Sequence, residues 1–358
     1  DFTPEYNPLE EYLAERQEWH PGDTDYIKLL CSHIKVVDDE DHFHTQELFE
    51  YCFRKWFVSM VMGWVLKDSN NQTILLLVGR GGIFKTTFFE YLLPNELRKY
   101  FFNDSDSNYN SKDFLLACSN KALICLDEFD ALYGKNLNSF KSCITKRTVV
   151  SRIPYDRYPT SSLRTASFCG TSNNIHIITE NENRRYLVWQ VKSIDNPREN
   201  PIDYNHLYAQ ALALGRQVLK HKQEAAKADS DEDGKEQDNW VYWLTNEDYK
   251  KQEVHNRLFL VNNYLEERIL KFYRVPLKNT TDENAFNLLF VSASDILDKV
   301  SSSPTFSRMF SDKDITAAMN RLGFTKRHRQ SGNGWWVIEK EGTTIQNESK
   351  FVHNVDSL

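Results

Sequence analysis

Apolar positions fall along this chain in helically spaced stripes and in short unbroken runs. Between Thr45 and Lys67, the residues Leu48, Cys52, Phe53, Trp56, Phe57, Met60, Val61 and Trp64 recur at helical spacing. That spacing predicts an amphipathic helix with its apolar stripe on a core. Two short unbroken apolar runs, 74–78 and 122–126, read as strands buried on both faces, as in a parallel sheet. A third strand is expected over 165–173, and a fourth after Asn183-Arg184-Arg185, through Tyr186-Leu187-Val188-Trp189. Nearer the end, Ser311-Asp-Lys-Asp314 offers a capping box, with Ile315, Ala318, Met319 and Leu322 on one helix face and Gly323 as the stop. Two strands, 324–329 and 334–338, then flank Gln-Ser-Gly-Asn-Gly, a hairpin signal. Helix followed by basic hairpin is the order of a winged-helix domain, with 311–322 as recognition helix and Phe324, Trp336 and Ile338 as core. Such domains also serve protein–protein contact.

The chemistry stands where the apolar runs end. After 74–78 comes Gly79-Arg-Gly-Gly-Ile-Phe-Lys-Thr-Thr87, a glycine-rich turn opening a helix. Backbone amides of Gly79, Gly81, Gly82, Ile83, Phe84, Lys85, Thr86 and Thr87 can close around phosphate oxygens, and the helix start adds positive partial charge. Lys85 can reach the β- and γ-phosphates of ATP, and the Thr86 hydroxyl can bind Mg²⁺. Phe84 stands where the last glycine of G-x-x-x-x-G-K-[ST] belongs, at a cost of about 1–2 kcal/mol if the position demands positive φ. A buried strand with a plain glycine turn is the bland alternative. After 122–126, Asp127 and Glu128 lie at a strand's carboxyl end, where open α/β sheets place ligands. Asp127 is assigned to Mg²⁺ and Glu128 to polarising the attacking water; a solvated acidic turn is the alternative. Between Lys85 and Asp127 there is room for one further helix and strand. Asn173 is placed to orient water or sense the γ-phosphate, and Arg184 or Arg185 to act as an arginine finger, often supplied by a neighbouring subunit. A turn asparagine and a surface arginine pair would look the same.

Taken in order, these stretches resemble the virulence-associated protein E family, ATPases related to superfamily-three and poxvirus-type replicative helicases. The carrying residues are Gly79–Phe88, Leu126-Asp-Glu-Phe-Asp130, Phe140-Lys141, Ile144-Thr-Lys-Arg147, Arg152-Ile-Pro-Tyr-Asp-Arg157, Arg164–Asn173 and Asn183-Arg-Arg185, over roughly 45–195. The resemblance implies an α/β fold with an AAA+-like P-loop ATPase core, a replication or mobile-element setting with a primase or other replication partner, and a homo-oligomeric ring. Where the family has an acidic or glutamine residue in the loop, this chain has Gly81.

Charge refines the picture. The formal net charge is −7 over 358 residues. Yet between 135 and 164 there are seven basic residues (135, 141, 146, 147, 152, 157, 164) and one acid, Asp156. With Tyr155 and Tyr158 interleaved, and a β-branched stretch at 149–154 suggesting a hairpin arm, this segment suits phosphates and unpaired bases. Lys141, Lys146, Arg147, Arg152, Tyr155 and Arg157 are the candidate nucleic-acid contacts, with DNA, single-stranded, as the partner; Lys326, Arg327 and Arg329 form a second set on the C-terminal wing. Six cysteines without C-x-x-C pairing, no signal-peptide pattern and no uninterrupted apolar span point to a cytoplasmic protein with no membrane partner. A start at Asp1 reads as a trimmed chain or part of a longer one. The expected organisation is a helical region at 1–72, the ATPase core at 73–195, a helical segment and charged, mobile linker at 196–240, the winged-helix-like domain at 241–340 and a polar tail at 341–358. The function expected is a DNA helicase driven by ATP. An NTP-dependent switch or loader that never unwinds DNA is the alternative, and a metabolic P-loop kinase fits the arginine pair and basic arm less well.

Overall fold

A computed structural model describes residues 7–67, 69–104, 108–129, 134–151, 160–179, 184–227, 240–276, 288–301, 310–329 and 332–340. The chain divides into two compact units, residues 1–260 and 261–358.

The first unit is mixed α/β around a six-stranded sheet. Its parallel strands are β2 (Ile74–Val78), β3 (Phe101–Asp104), β4 (Leu123–Leu126), β7 (Ser167–Ser172) and β8 (Tyr186–Ile194), and β1 (Ile34–Val36) adds an antiparallel edge, in the order β1-β8-β2-β7-β4-β3. All five residues of β2 are buried, as an apolar run inside a parallel sheet must be. Leu75 and Leu77 face one core, and Ile74, Leu76 and Val78 face the other. The first core is filled from α1 (Pro8–Ala14), α2 (Tyr26–Ser32), α3 (Gln46–Val65), α4 (Lys85–Leu92) and α7 (Tyr204–Lys227). The second takes α5 (Lys112–Asn120), α6 (Gly134–Thr145) and residues just after α8 (Asn246–Asn256). The strand β5 (Thr148–Ser151) pairs antiparallel with β6 (Thr160–Leu163), so the expected hairpin arm follows α6.

Three expectations change. Helix α3, capped by the Thr45 side chain, is buried without a break from Lys55 to Met62, so it is more than a surface helix with one stripe. Lys55 tolerates this because its ammonium lies 2.8 Å from Asp248 and 3.0 Å from the Trp243 carbonyl. Residues 221–227, assigned to the mobile connection, are the last turns of α7. Residues 241–260, assigned to the C-terminal domain, belong to the first unit, where Asn256 of α8 donates to the Tyr186 carbonyl and Phe259 and Leu260 enter the second core.

The second unit runs α9 (Val261–Phe272), β9 (Tyr273–Arg274), β10 (Leu288–Val291), α10 (Ala293–Val300), α11 (Asp312–Arg321), β11 (Lys326–Arg329) and β12 (Gly332–Glu339). Strand β12 pairs antiparallel with β10 on one side and with β11 and β9 on the other. The Ser311 capping box forms, and Gly323 ends α11 at φ 82°. Phe324 is core as expected, but the buried side chains of β12 are those of Trp335 and Val337; Trp336 and Ile338 lie half-buried on the opposite face. Successive strand residues point to opposite sides, and it is the odd-numbered set that faces inward.

Candidate functional site

Parallel pairing brings the carboxyl ends of β2, β3, β4 and β7 to one edge of the sheet. The loop after β2 is shaped by two glycines. Gly79 has φ 147°, and a Cβ there would lie 2.7 Å from the Val191 carbonyl oxygen of β8, so no side chain fits. Gly82 turns the chain at φ 79°. Phe84 then adopts φ 65° and ψ 21° immediately before α4, the left-handed geometry that a glycine would hold without strain.

Inside this loop the Lys85 ammonium donates to the carbonyls of Gly79 at 2.8 Å and Arg80 at 2.9 Å, and to Asn173 Oδ1 at 3.0 Å. Burial pulls its pKa below the usual lysine value, and the charge of Asp127 offsets only part of that. Asp127 is the other pole. Its Oδ1 accepts from Thr86 Oγ1 at 2.9 Å, Thr171 Oγ1 at 2.5 Å and the Glu128 amide at 3.1 Å, and its Oδ2 from Asn103 Nδ2 at 3.3 Å. Burial pushes this carboxyl up, but the hydrogen bonds from Thr171, Asn103, Thr86 and the Glu128 amide outweigh it and hold it below the ordinary 3.8. Glu128 is exposed at φ 51°.

A hydroxyl 2.9 Å from a carboxylate is a pair of hard oxygen donors suited to Mg²⁺, which usually keeps several waters and takes one or two carboxylates plus substrate phosphates. Among the described residues no cluster of three or more His, Cys, Asp or Glu could hold a metal by itself. Thr86 and Asp127 supply two oxygen donors, which fits a Mg²⁺ whose other positions water or phosphate would fill.

Thus Lys85, Thr86, Asp127, Glu128 and Asn173 are brought together, with Gly79, Gly81, Gly82, Ile83, Phe84 and Thr87 around them. Arg184 and Arg185 are not. They precede Tyr186, which pairs with Ile74 at the start of β2, so they stand at the opposite edge of the sheet from Lys85 of the same chain. Thr171 and Asn103 were not expected at the site. Thr171 lies two residues before Asn173, a spacing that puts both on one side of the chain but does not mark a threonine inside a strand until the sheet sets it beside Asp127.

Of the basic set, Lys141 is half-buried on α6, and Lys146 and Arg147 are exposed where α6 meets β5, with Arg147 Nε donating to the Lys67 carbonyl at 2.8 Å. Arg152, Tyr155 and Arg157 lie outside the described residues. Arg164, counted with the basic surface, is buried instead: its guanidinium donates to the carbonyls of Lys146, Ala166, Asn71 and Ile144, and burial lowers its pKa to about 10. Lys326, Arg327 and Arg329 are all exposed on β11. Among the described residues no helix is long and apolar enough to cross a membrane. All six cysteines are free and buried.

The model of the virulence-associated protein E-like domain matches residues 18–239, and the chain belongs to that family. The match extends beyond the 45–195 that carried the resemblance. Among solved structures, the apo C-terminal region (305–718) of NrS-1 is similar at 16% identity and TM-score 0.42, over 91% of this chain and 77% of that one. An A-form apo structure of the NrS-1 C-terminal region is similar at 13% identity and TM-score 0.40, over 92% and 78%. No curated protein matches the chain.

Proposed function

We propose that this protein is an ATP-hydrolysing motor acting on DNA, a helicase in plasmid, phage or mobile-element replication. The observation that carries the reading is the convergence of Lys85, the Thr86–Asp127 pair and Asn173 from three strand ends onto one edge of a parallel sheet. The strand order supports it: β7 lies between β2 and β4, so Asn173 stands between the phosphate loop and the acids, as an AAA+-like core needs. The C-terminal order, among the described residues, of helix, two strands, two helices and two strands supports a winged helix with Lys326, Arg327 and Arg329 on its wing.

On this reading, the loop amides and Lys85 bind the polyphosphate, whose oxygens take the place of the Gly79 and Arg80 carbonyls around the ammonium. Thr86 and Asp127 would hold a Mg²⁺, which would supply charge neutralisation to the phosphates. Its four hydrogen bonds hold the Asp127 carboxyl below the ordinary value against the pull of burial, so it would be available as an ionised ligand. Glu128 and Asn173 orient water toward the γ-phosphorus. Once a γ-phosphate arrives, Asn173 would release Lys85 from its Oδ1 and turn its Nδ2 amide to donate to a phosphate oxygen, which would link loop and sensing strand. Arg184 and Arg185, at the far edge of the sheet from their own loop, would have to serve a neighbouring subunit's site, which would call for a ring. The basic segment of α6 and the β5–β6 hairpin, which follows directly on the acids, is where turnover would be passed to DNA.

The test is Mg-ATP titration and turnover of the purified chain. Saturable binding below millimolar levels, with turnover abolished by Lys85→Ala and stimulated by single-stranded DNA, is expected. Loss of that stimulation in Arg152→Glu or Arg157→Glu would place the motor on the arm. A DNA-indifferent ATPase would support the switch or loader, and no affinity for ATP would end both readings.

A further inference from the structure

The alternation along β12 creates a second surface. Register places Trp336 opposite Phe290, Ile338 opposite both Leu288 and Arg274, and the glycines at 334 and 332 opposite Arg327 and Arg329. All these residues share the sheet face that turns away from Trp335 and Val337. The rings of Phe290 and Trp336 lie 5.5 Å apart at 67°, and the Arg329 guanidinium lies 4.3 Å over Trp336 and 5.4 Å over Phe290. Arg274 and Arg327 are exposed beside them, and no acidic residue occupies this face among the described residues. The arginines stand at β12 positions 332, 334 and 338, a row of about 20 Å at strand spacing.

The helix that a winged-helix docking mode would present to a duplex is differently equipped. Helix α11 opens with Asp312 and Asp314 on either side of Lys313, and its last basic residue, Arg321, is engaged by Glu266. A polyanion meets a net negative first turn there, and only positive charge on the sheet face.

We propose that the outer face of the C-terminal sheet binds an unpaired stretch of nucleic acid, with bases stacked on Trp336 and Phe290 and phosphates met by Arg274 and Arg327. Aromatic rings accept any base but only when it is unpaired, and guanidinium planes extend the same stack. The proposal rests on the nucleic-acid reading above and adds a place and a strand state to it.

Fluorescence anisotropy of the full chain with a fluorescein-labelled oligothymidylate of about 15 nucleotides tests it, against a duplex of the same length. Arg274→Ala and Arg327→Ala, both at exposed positions, are expected to weaken oligothymidylate binding several-fold. Each should also reduce the slope of log affinity against log salt by about 0.7. Trp336→Leu and Phe290→Leu should each weaken binding about tenfold with the salt slope unchanged, because stacking releases no counterions. Oligothymidylate bound as by the parent chain in all four variants would overturn this proposal and leave the motor reading on α6 and the β5–β6 hairpin. Duplex bound more tightly than oligothymidylate, with the same variants losing it, would overturn it in favour of a duplex-binding wing. No binding of the oligothymidylate by the parent chain would remove both the proposal and the DNA part of the function above.

Discussion

Phe84 and Glu128 share an unusual backbone: with Phe43, they are the non-glycine residues of positive φ among those described. Two of the three stand within one site, where strain is retained because the surroundings demand the geometry. Phe84 is also 39% exposed, so little burial compensates it. Phe84→Gly is therefore expected to stabilise the fold by about 1 kcal/mol, while Phe84→Ala gains nothing, since alanine keeps the Cβ clash. Urea unfolding of the two variants decides this, and equal stabilities would mean the loop carries no strain at that position. The demand for positive φ was legible from glycine spacing alone, as were Lys85, Thr86, Asp127, Glu128 and Asn173, because each follows an apolar run at its polar end. Thr171 and Asn103 were not, since a threonine inside a strand and an asparagine near a strand end are ordinary until the sheet sets them beside Asp127. Arg164 shows the reverse: a count of basic residues cannot distinguish a solvated arginine from one that ties four carbonyls together in the core.

Among elements, α8 shows why the composition boundary near 240 misleads. Strand β1 covers β8 only from Val191 to Ile194, which leaves carbonyls nearer its start in need of donors. Gln252 and Asn256 donate to the Tyr186 carbonyl, and His255 Nε2 bonds the Val188 carbonyl at 2.6 Å. Burial lowers the His255 pKa from 6.5 to about 4, the Val188 carbonyl opposes that, and His44, stacked 5.0 Å away, adds to the fall. Because the folded value lies below the unfolded one, the unfolded chain takes up a proton between those pH values that the native state refuses. Stability should thus fall on acidification from pH 6.5 to 4, by up to about 1.4 kcal/mol per pH unit from this group. His255→Gln should show a shallower slope across that window in denaturation at several pH values; an unchanged slope would mean that His255 titrates alike in both states. The strands themselves were readable from period and length, whereas the inward face of β12 was not, because Trp335, Trp336, Val337 and Ile338 are all apolar and only the packing of the helices selects between the two alternations.

At the scale of the molecule, the two units have separate cores, and 241–260 is committed to the first. A chain ending at Leu260 should unfold cooperatively and keep whatever affinity for Mg-ATP the full protein has. One ending at 240 loses α8 together with Phe259 and Leu260, whose burial contributes about 1.5–3 kcal/mol per large apolar side chain, so it should melt several degrees lower or fail to fold. Calorimetry of the two truncations tests the assignment, and equal melting temperatures would refute it. The formal −7 is likewise a poor guide to partners, because the C-terminal sheet face carries arginines and no acid among its described residues.

What the amino-acid order determined unaided was local: which segments are helix or strand, where the glycine-rich loop after β2 must bend, and which polar groups lie at strand ends. Those follow from periodicity, capping and backbone sterics, which act over a few residues. Only the folded chain decided that Thr171 and Asn103 brace Asp127, that Arg164 is core, that Arg184 and Arg185 stand away from their own loop, and which face of β12 meets solvent. Each of these depends on sheet order and register, and residues far apart in the chain become neighbours only when the strands have paired.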